Sequence, residues 1–171
     1  MNKKIIVVGT SGSGKSTFAR QLSIKLNIPH IELDNLYWEK NWSINPNFRD
    51  LLTERLKTPQ WVVCGNYLKV KDLTYQANII IWLDYPFYLV FWRALKRSIH
   101  RLYTQEKICG ENTETIKRLF SRNSILWWVI RTYSKRRKEY QLLFSQDNQL
   151  LKMIRVKFSK DLQEIMRLLT K

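Results

Sequence analysis

Negative charge is the scarcest commodity in this chain. Fourteen Asp and Glu stand against thirty Lys and Arg, a net charge of +16 over 171 residues. Cysteine is nearly absent too. Cys64 and Cys109 are far apart with no CxxC, and with only His30 and His100 beside them they lack the ligand spacing of a zinc site. Two reduced thiols are the expected state. Five Gly and four Pro exclude a linker-rich or low-complexity chain. Long apolar runs are missing: stretches such as 79–83 and 125–130 fall far short of the roughly 20 residues that a spanning helix needs. The opening residues lead straight into an apolar run and do not read as a leader. The expectation is a soluble, cytoplasmic protein with no membrane partner.

What is present is a globular composition, 44% apolar, of a size that suits one domain with a substantial core over 1–171. The positive charge is concentrated. Residues 93–140 hold thirteen Lys or Arg against four Glu, which predicts one basic surface or lid and an anionic partner or substrate.

Strands are predicted at 5–8, a continuous apolar run rich in β-branched residues, and at 30–33, 61–64, 78–83 and 151–158. Helical spacing is seen over 16–26, 47–57, from Pro86 to about Leu102, and over roughly 113–143 with a break near Ser124. A turn is expected at 146–149, and Ser159 is a suitable N-cap for a final helix. Strands alternating with helices imply an α/β protein with a parallel sheet covered on both faces.

Between the first strand and first helix, Gly9-Thr10-Ser11-Gly12-Ser13-Gly14-Lys15-Ser16 satisfies G-x-x-x-x-G-K-[ST] in full. Glycines at these positions let backbone N–H groups turn inward around phosphate oxygens, and the helix N-terminus adds its positive end. Lys15 is expected at the β and γ phosphates, Ser16 Oγ on Mg²⁺, and Thr17 at the α-phosphate. This predicts Mg²⁺ with ATP as the bound species, held by Gly9, Ser11, Gly12, Ser13, Gly14, Lys15, Ser16 and Thr17.

Beyond the loop the residues leave alternatives open. Glu32 and Asp34 follow the second strand, where ligands bind in such sheets. Alternation puts them on one strand face, either to orient an acceptor hydroxyl or hold Mg²⁺ through water, or as a helix cap and a surface ion pair. Trp38 and Trp42 either stack on a planar substrate or fill a small subsidiary core. Arg93, Arg97 and Arg101 recur every four residues with no Asp or Glu between Asp84 and Glu106. Such a column suits phosphate recognition, or is a solvated basic face. Arg131, Lys135 and Lys138 form a second stripe, flanked by Arg136 and Arg137. His100 reads as a passenger on the basic face and His30 as a strand-edge residue.

With these motifs in view, the chain resembles the adenylate-kinase-like branch of small P-loop kinases. Within it the chain is similar to the topology-modulation protein family, kinase-like ATP-binding proteins named for an inferred link to DNA topology. The resemblance rests on GTSGSGKST at 9–17, IELDNLYW at 31–38, WVVCGNY at 61–67, IIIWLDYP at 79–86 and the Arg-rich segment from Arg93. It implies a three-layer P-loop fold with a five-stranded parallel sheet and a basic helical lid, about 101–138, between strands four and five. Adenylate kinases carry Asp-x-Pro followed by two phosphate-contacting arginines; Asp84, Pro86, Arg93 and Arg97 match that spacing, and Arg131 would be a lid arginine. The family's third strand ends in Asp-Gly-Phe-Pro-Arg, whereas this chain has Cys64-Gly65-Asn66-Tyr67-Leu68. Either metal binding is weakened, or Asp34 or Glu32 takes over from the lost carboxylate. Without the Arg, a nucleoside monophosphate acceptor is disfavoured, and Asn66 and Tyr67 are expected to meet an uncharged part of some other acceptor. The leading expectation is an ATP-dependent kinase with catalytic residues Lys15, Asp34, Arg93 and Arg97. The alternatives are a nucleotide-binding protein that associates with nucleic acid through its basic segment, or an ATP binder with little turnover.

Overall fold

The computed structural model describes residues 2–65, 70, 72, 76–145 and 151–170. Five strands form one parallel sheet: β1 (Lys4–Gly9), β2 (His30–Glu32), β3 (Trp61–Cys64), β4 (Ile79–Leu83) and β5 (Lys152–Val156), in the order β2-β3-β1-β4-β5. β1 lies at the centre, with Ile5 opposite Val62 on one side and Ile79 on the other. Central strands covered on both faces need apolar side chains, and β3 and β4 have them at every position, as β1 does from Ile5 to Val8.

Alternation along β1 divides the interior into two cores. Ile5 and Val7 face one layer with Phe18 and Leu22 of α1 (Lys15–Leu26), Val90 and Ala94 of α4 (Phe87–Thr104), and Ile165 and Leu169 of α7 (Asp161–Thr170). Ile6 and Val8 face the other with Leu33 of α2 (Leu33–Tyr37) and Phe48, Leu52 and Leu56 of α3 (Phe48–Leu56). Between β4 and β5 lie the short α5 (Ile116–Leu119) and the long α6 (Ile125–Ser145), separated near Ser124 as the sequence suggests. Ser124 caps α6, its Oγ accepting from the Trp127 N–H at 3.1 Å. α6 serves both cores, with Val129 in the first and Tyr140 in the second, against Trp82.

One expectation needs correcting here. β2 ends at Glu32, and Asp34 belongs to α2, so the two carboxylates do not share a strand face. Residues 30–33 are too few for alternation to fix where the strand gives way to helix. Asn66, Tyr67 and Leu68, and the turn at 146–149, lie outside the described residues. Among the described residues, no helix is long and apolar enough to cross a membrane.

Candidate functional site

The phosphate loop joins the carboxyl end of β1 to the start of α1, and its shape depends on glycine. Gly12 has φ +87°, and a Cβ there would stand 2.3 Å from the Val90 carbonyl oxygen, so α4 packs directly on the loop. Gly14 is the N-cap of α1 in the left-handed region, with no side-chain cap on the helix. The first N–H groups of α1 therefore have no side-chain partner from the cap and are available to an anion. Ser13 is buried, and its Oγ has no hydrogen-bond partner, an orphan donor inside the loop. These features fit a bound polyphosphate.

Lys15 and Ser16 open α1 on the rim of this cradle. Lys15 Nζ donates to the Thr10 carbonyl at 3.4 Å. Burial pushes the Lys15 pKa down, Asp34 opposes that shift, and Arg97 and Arg136 reinforce it. An arriving phosphate supplies the counter-charge that burial withholds. Ser16 Oγ donates to Glu32 Oε1 at 2.5 Å, and Asn35 Nδ2 donates to Glu32 Oε2 at 3.2 Å. The strand-two carboxylate thus sits on the hydroxyl that such loops offer to Mg²⁺.

Cys64, at the end of β3, touches the same hydroxyl, Sγ to Ser16 Oγ at 3.7 Å. Its thiol is pushed up to about 12 by burial and then by Glu32, so it stays protonated and adds no charge. His30 Nε2 lies 3.3 Å from the same sulfur, and burial lowers its pKa. The position where a carboxylate was expected is a neutral thiol, with Glu32 beside it. Among the described residues no three His, Cys, Asp or Glu side chains form a metal cage. A Mg²⁺ ion held by one or two protein groups and substrate phosphates needs none.

Two helices bring cations over the loop. Arg97 of α4 is solvent-accessible within the cleft, yet desolvation lowers its pKa, followed by repulsion from Arg101; Asp34, Glu114 and Glu32 act in the opposite direction. It therefore faces the carboxylates of the site. Arg93 is placed differently from the expectation. Its Nη2 donates to Ser159 Oγ at 3.1 Å and its guanidinium lies 5.1 Å from the Tyr85 ring centre, toward the segment between β5 and α7. From α6 the cation acting on Lys15 is Arg136, whereas Arg131 is exposed. Five residues put them about 140° apart on a helix, so only one can look inward.

Asp84 does not face the cleft as a ligand. It is 6% exposed and clamps two arginines: Arg137 Nε donates to Oδ1 at 2.9 Å, and Arg155 Nε to Oδ2 at 3.0 Å. This ties α6 and β5 to the end of β4 and so holds Arg136 in place.

The far side of the cleft is closed by two loops. Asn112 Nδ2 donates to the Glu39 carbonyl at 2.8 Å, and its Oδ1 accepts from the Trp42 N–H at 3.0 Å. Arg118 lies 3.7 Å from the Trp42 ring centre, and Lys40 pairs with Glu111. Trp42 itself has φ +60°, a costly conformation for an aromatic residue that these contacts maintain. Trp38 packs edge-on against Tyr37 and Trp42 and lines an open groove of about 460 Å³ with Asn35, Lys40 and Glu111. The two tryptophans form the subsidiary core, with one edge on a groove.

The sequence singles out Arg136 and Arg137 only as flanks of a basic stripe, and Asn112 not at all. A signal for Arg136 exists: Val129, Tyr133, Arg136 and Tyr140 follow i, i+4, i+7, i+11 spacing, so a cation interrupts an apolar stripe. Arg97 similarly continues the buried line of Val90 and Ala94. Asn112 has no such signature, because its partners lie about seventy positions away.

No family model matches the chain. It is similar to the "Uncharacterized protein YqaC" of Bacillus subtilis (strain 168), 30% identical over 115 residues, a match that spans 64% of each protein. Among solved structures it resembles shikimate kinase from Bacteroides thetaiotaomicron, with TM-score 0.58, 16% identity, and coverage of 98% of this chain and 96% of that one. A gluconokinase from Sinorhizobium meliloti 1021 gives TM-score 0.52 at 20% identity, covering 96% and 87%. Shikimate kinase from Aquifex aeolicus vf5 also gives 0.52 at 20%, covering 97% and 92%. At these identities the likeness is one of architecture: the chain has the α/β fold of the P-loop kinases, with the phosphate loop where that fold requires it.

Proposed function

We propose that this protein is an ATP-dependent phosphotransferase acting on a small hydroxylated acceptor. The observation that carries the reading is the joining of Ser16 to Glu32 at 2.5 Å beside a half-buried Lys15, with Arg97 and Arg136 brought to the same cleft. The loop N–H groups and Lys15 hold the β and γ phosphates of ATP. Ser16 and Glu32 are the residues that would hold Mg²⁺, which when bound neutralises phosphate charge. Asp34 orients the acceptor hydroxyl and receives its proton as the new P–O bond forms. The bond between the γ phosphorus and the bridging oxygen breaks, and ADP leaves. Arg97 and Arg136 stabilise charge on the transferring group from either side. Residues 101–138 serve as the lid, with Asn112 and Arg118 as its latch on the Trp42 loop. ATP as the donor fits a cytoplasmic setting, and the motif pattern at 9–17, 31–38 and 79–86 supports a kinship with the topology-modulation proteins within this class.

The test is ADP formation from ATP and Mg²⁺ with a panel of acceptors. Polyhydroxy carboxylic acids come first, shikimate and gluconate among them because the fold neighbours are kinases for those compounds, then sugars and nucleosides. An acceptor-dependent rate well above that of Lys15→Ala supports the reading. Equal rates with every acceptor would leave a nucleotide-binding protein without transfer.

A further inference from the structure

The outward face of α4 exposes more apolar surface than a solvated helix needs. Tyr88, Trp92, Ile99 and Tyr103 are 73%, 53%, 41% and 86% exposed. At 3.6 residues per turn these four fall within about 60° of arc, one continuous stripe along the helix. A cation and a polar ring occupy the adjoining arc: Lys96, with its Nζ 5.1 Å from the Trp92 ring centre, and His100. No acidic residue lies between Asp84 and Glu106 to neutralise Lys96. Val90 and Ala94, roughly opposite the stripe, hold α4 against the phosphate loop. The face is thus separate from the nucleotide site and free while that site works.

Charge and side-chain type choose among occupants. A second copy would set two acid-free cationic flanks against each other on a chain already at +16. Single-stranded nucleic acid would stack on Trp92 and the tyrosines but gives Ile99 no role. An anionic bilayer uses every member of the pattern. Tyr and Trp partition to the headgroup boundary, Ile99 reaches below it, and Lys96 meets lipid phosphates. We propose that this face of α4 docks the protein on an anionic lipid surface, with the helix axis in the plane of that surface. The expectation of no membrane partner rested on the lack of a spanning run, a criterion that does not see a helix lying on a membrane.

The test is co-sedimentation of the full chain with phosphatidylcholine vesicles, with and without an equal share of phosphatidylglycerol. At about 0.1 M salt, where exposed charges act over ~10 Å, the protein is expected to sediment only with the anionic vesicles. Trp92→Ser/Tyr103→Ser should weaken that binding about tenfold or more, since the apolar part of interfacial affinity scales with buried area. Both side chains are exposed, so an unchanged melting temperature is expected; Lys96→Glu, which alters only a surface charge, should weaken binding independently. The proposal is overturned if anionic vesicles do not bind the protein, or if both variants bind as the wild type does. It is equally overturned if the variants lose affinity for a single-stranded oligonucleotide, or for a second copy by sedimentation, while vesicle binding persists. None of these readouts depends on phosphoryl transfer.

Discussion

Glu32 and His30 flank Cys64 at the end of the sheet, and each carries a prediction that its neighbours define. Glu32 accepts from Ser16 and from Asn35, so Glu32→Gln keeps the shape and removes the charge. Turnover in this variant should require more Mg²⁺ and fall by about 10–100-fold, the usual effect of altering a group that positions a metal ligand. A Mg²⁺ titration that superimposes on the wild type would remove Glu32 from the metal's surroundings. His30 is a stability probe. Burial holds its pKa below the ordinary 6.5, so near that pH the unfolded chain takes up a proton that the folded chain refuses. Stability contributed by neutral His30 is present above about pH 6.5 and is lost as the pH falls below it. Between pH 7.5 and pH 5 the wild type should therefore lose more thermal stability than His30→Gln; parallel losses would show that His30 contributes nothing. At this scale the phosphate loop was legible because its residues are contiguous. Glu32 was ambiguous because the hydroxyl it meets is supplied by another element, and the Cys64 thiol matters only through what surrounds it.

Among elements, the sheet and the longer helices were legible to within about two residues, because β3, β4 and the Ile5–Val8 stretch of β1 are apolar at every position; the short α2, read as irregular, was not. What a period cannot give is the phase of a surface helix against the rest. The Arg93–Arg97–Arg101 column reads as one unit, yet four-residue steps drift about 40° around the axis, and only Arg97 faces the carboxylates. Arg131 and Arg136, five residues apart, are separated by a larger angle of about 140°. The phase of α6 is fixed by tertiary contacts, chiefly the Asp84 clamp on Arg137 and Arg155. Asp84→Asn should therefore destabilise the protein. The arginine side chains are 43% and 32% exposed and can regain water. The expected loss is about 2 kcal/mol, below the roughly 3–5 kcal/mol for pairs whose remaining charge is fully buried. Urea unfolding measures it. The control is Glu54→Gln at the Lys57–Glu54 pair, 68% and 69% exposed, where the change should stay under about 0.5 kcal/mol. Equal effects at the two sites would mean that the clamp is no more than a surface ion pair.

For the whole molecule, the excess of positive charge and the shape of the cleft act together. Lys15 comes from the phosphate loop, Arg97 from α4 and Arg136 from α6, and the last two lower the Lys15 pKa further. Folding thus assembles like charges that repel until an anion arrives, which makes nucleotide binding and global stability one linked equilibrium. The latch extends that linkage, since Asn112 joins the excursion to the Glu39–Trp42 loop across the cleft. A ligand touching loop, α4 and α6 should then stabilise all three cooperatively. With ATP and Mg²⁺ at 100 times Kd the gain is about 2.7 kcal/mol. For a chain of this size that corresponds to a rise of ~5–10 °C in Tm. Because the gain is largely electrostatic, it should shrink at a fixed ATP concentration as salt is raised toward about 1 M, where charges act over only ~3 Å. Lys15→Ala should show little shift at any salt, and Arg136→Ala an intermediate one. A wild-type shift indifferent to salt would mean that base and ribose contacts, rather than the convergence of three cations, supply most of the affinity.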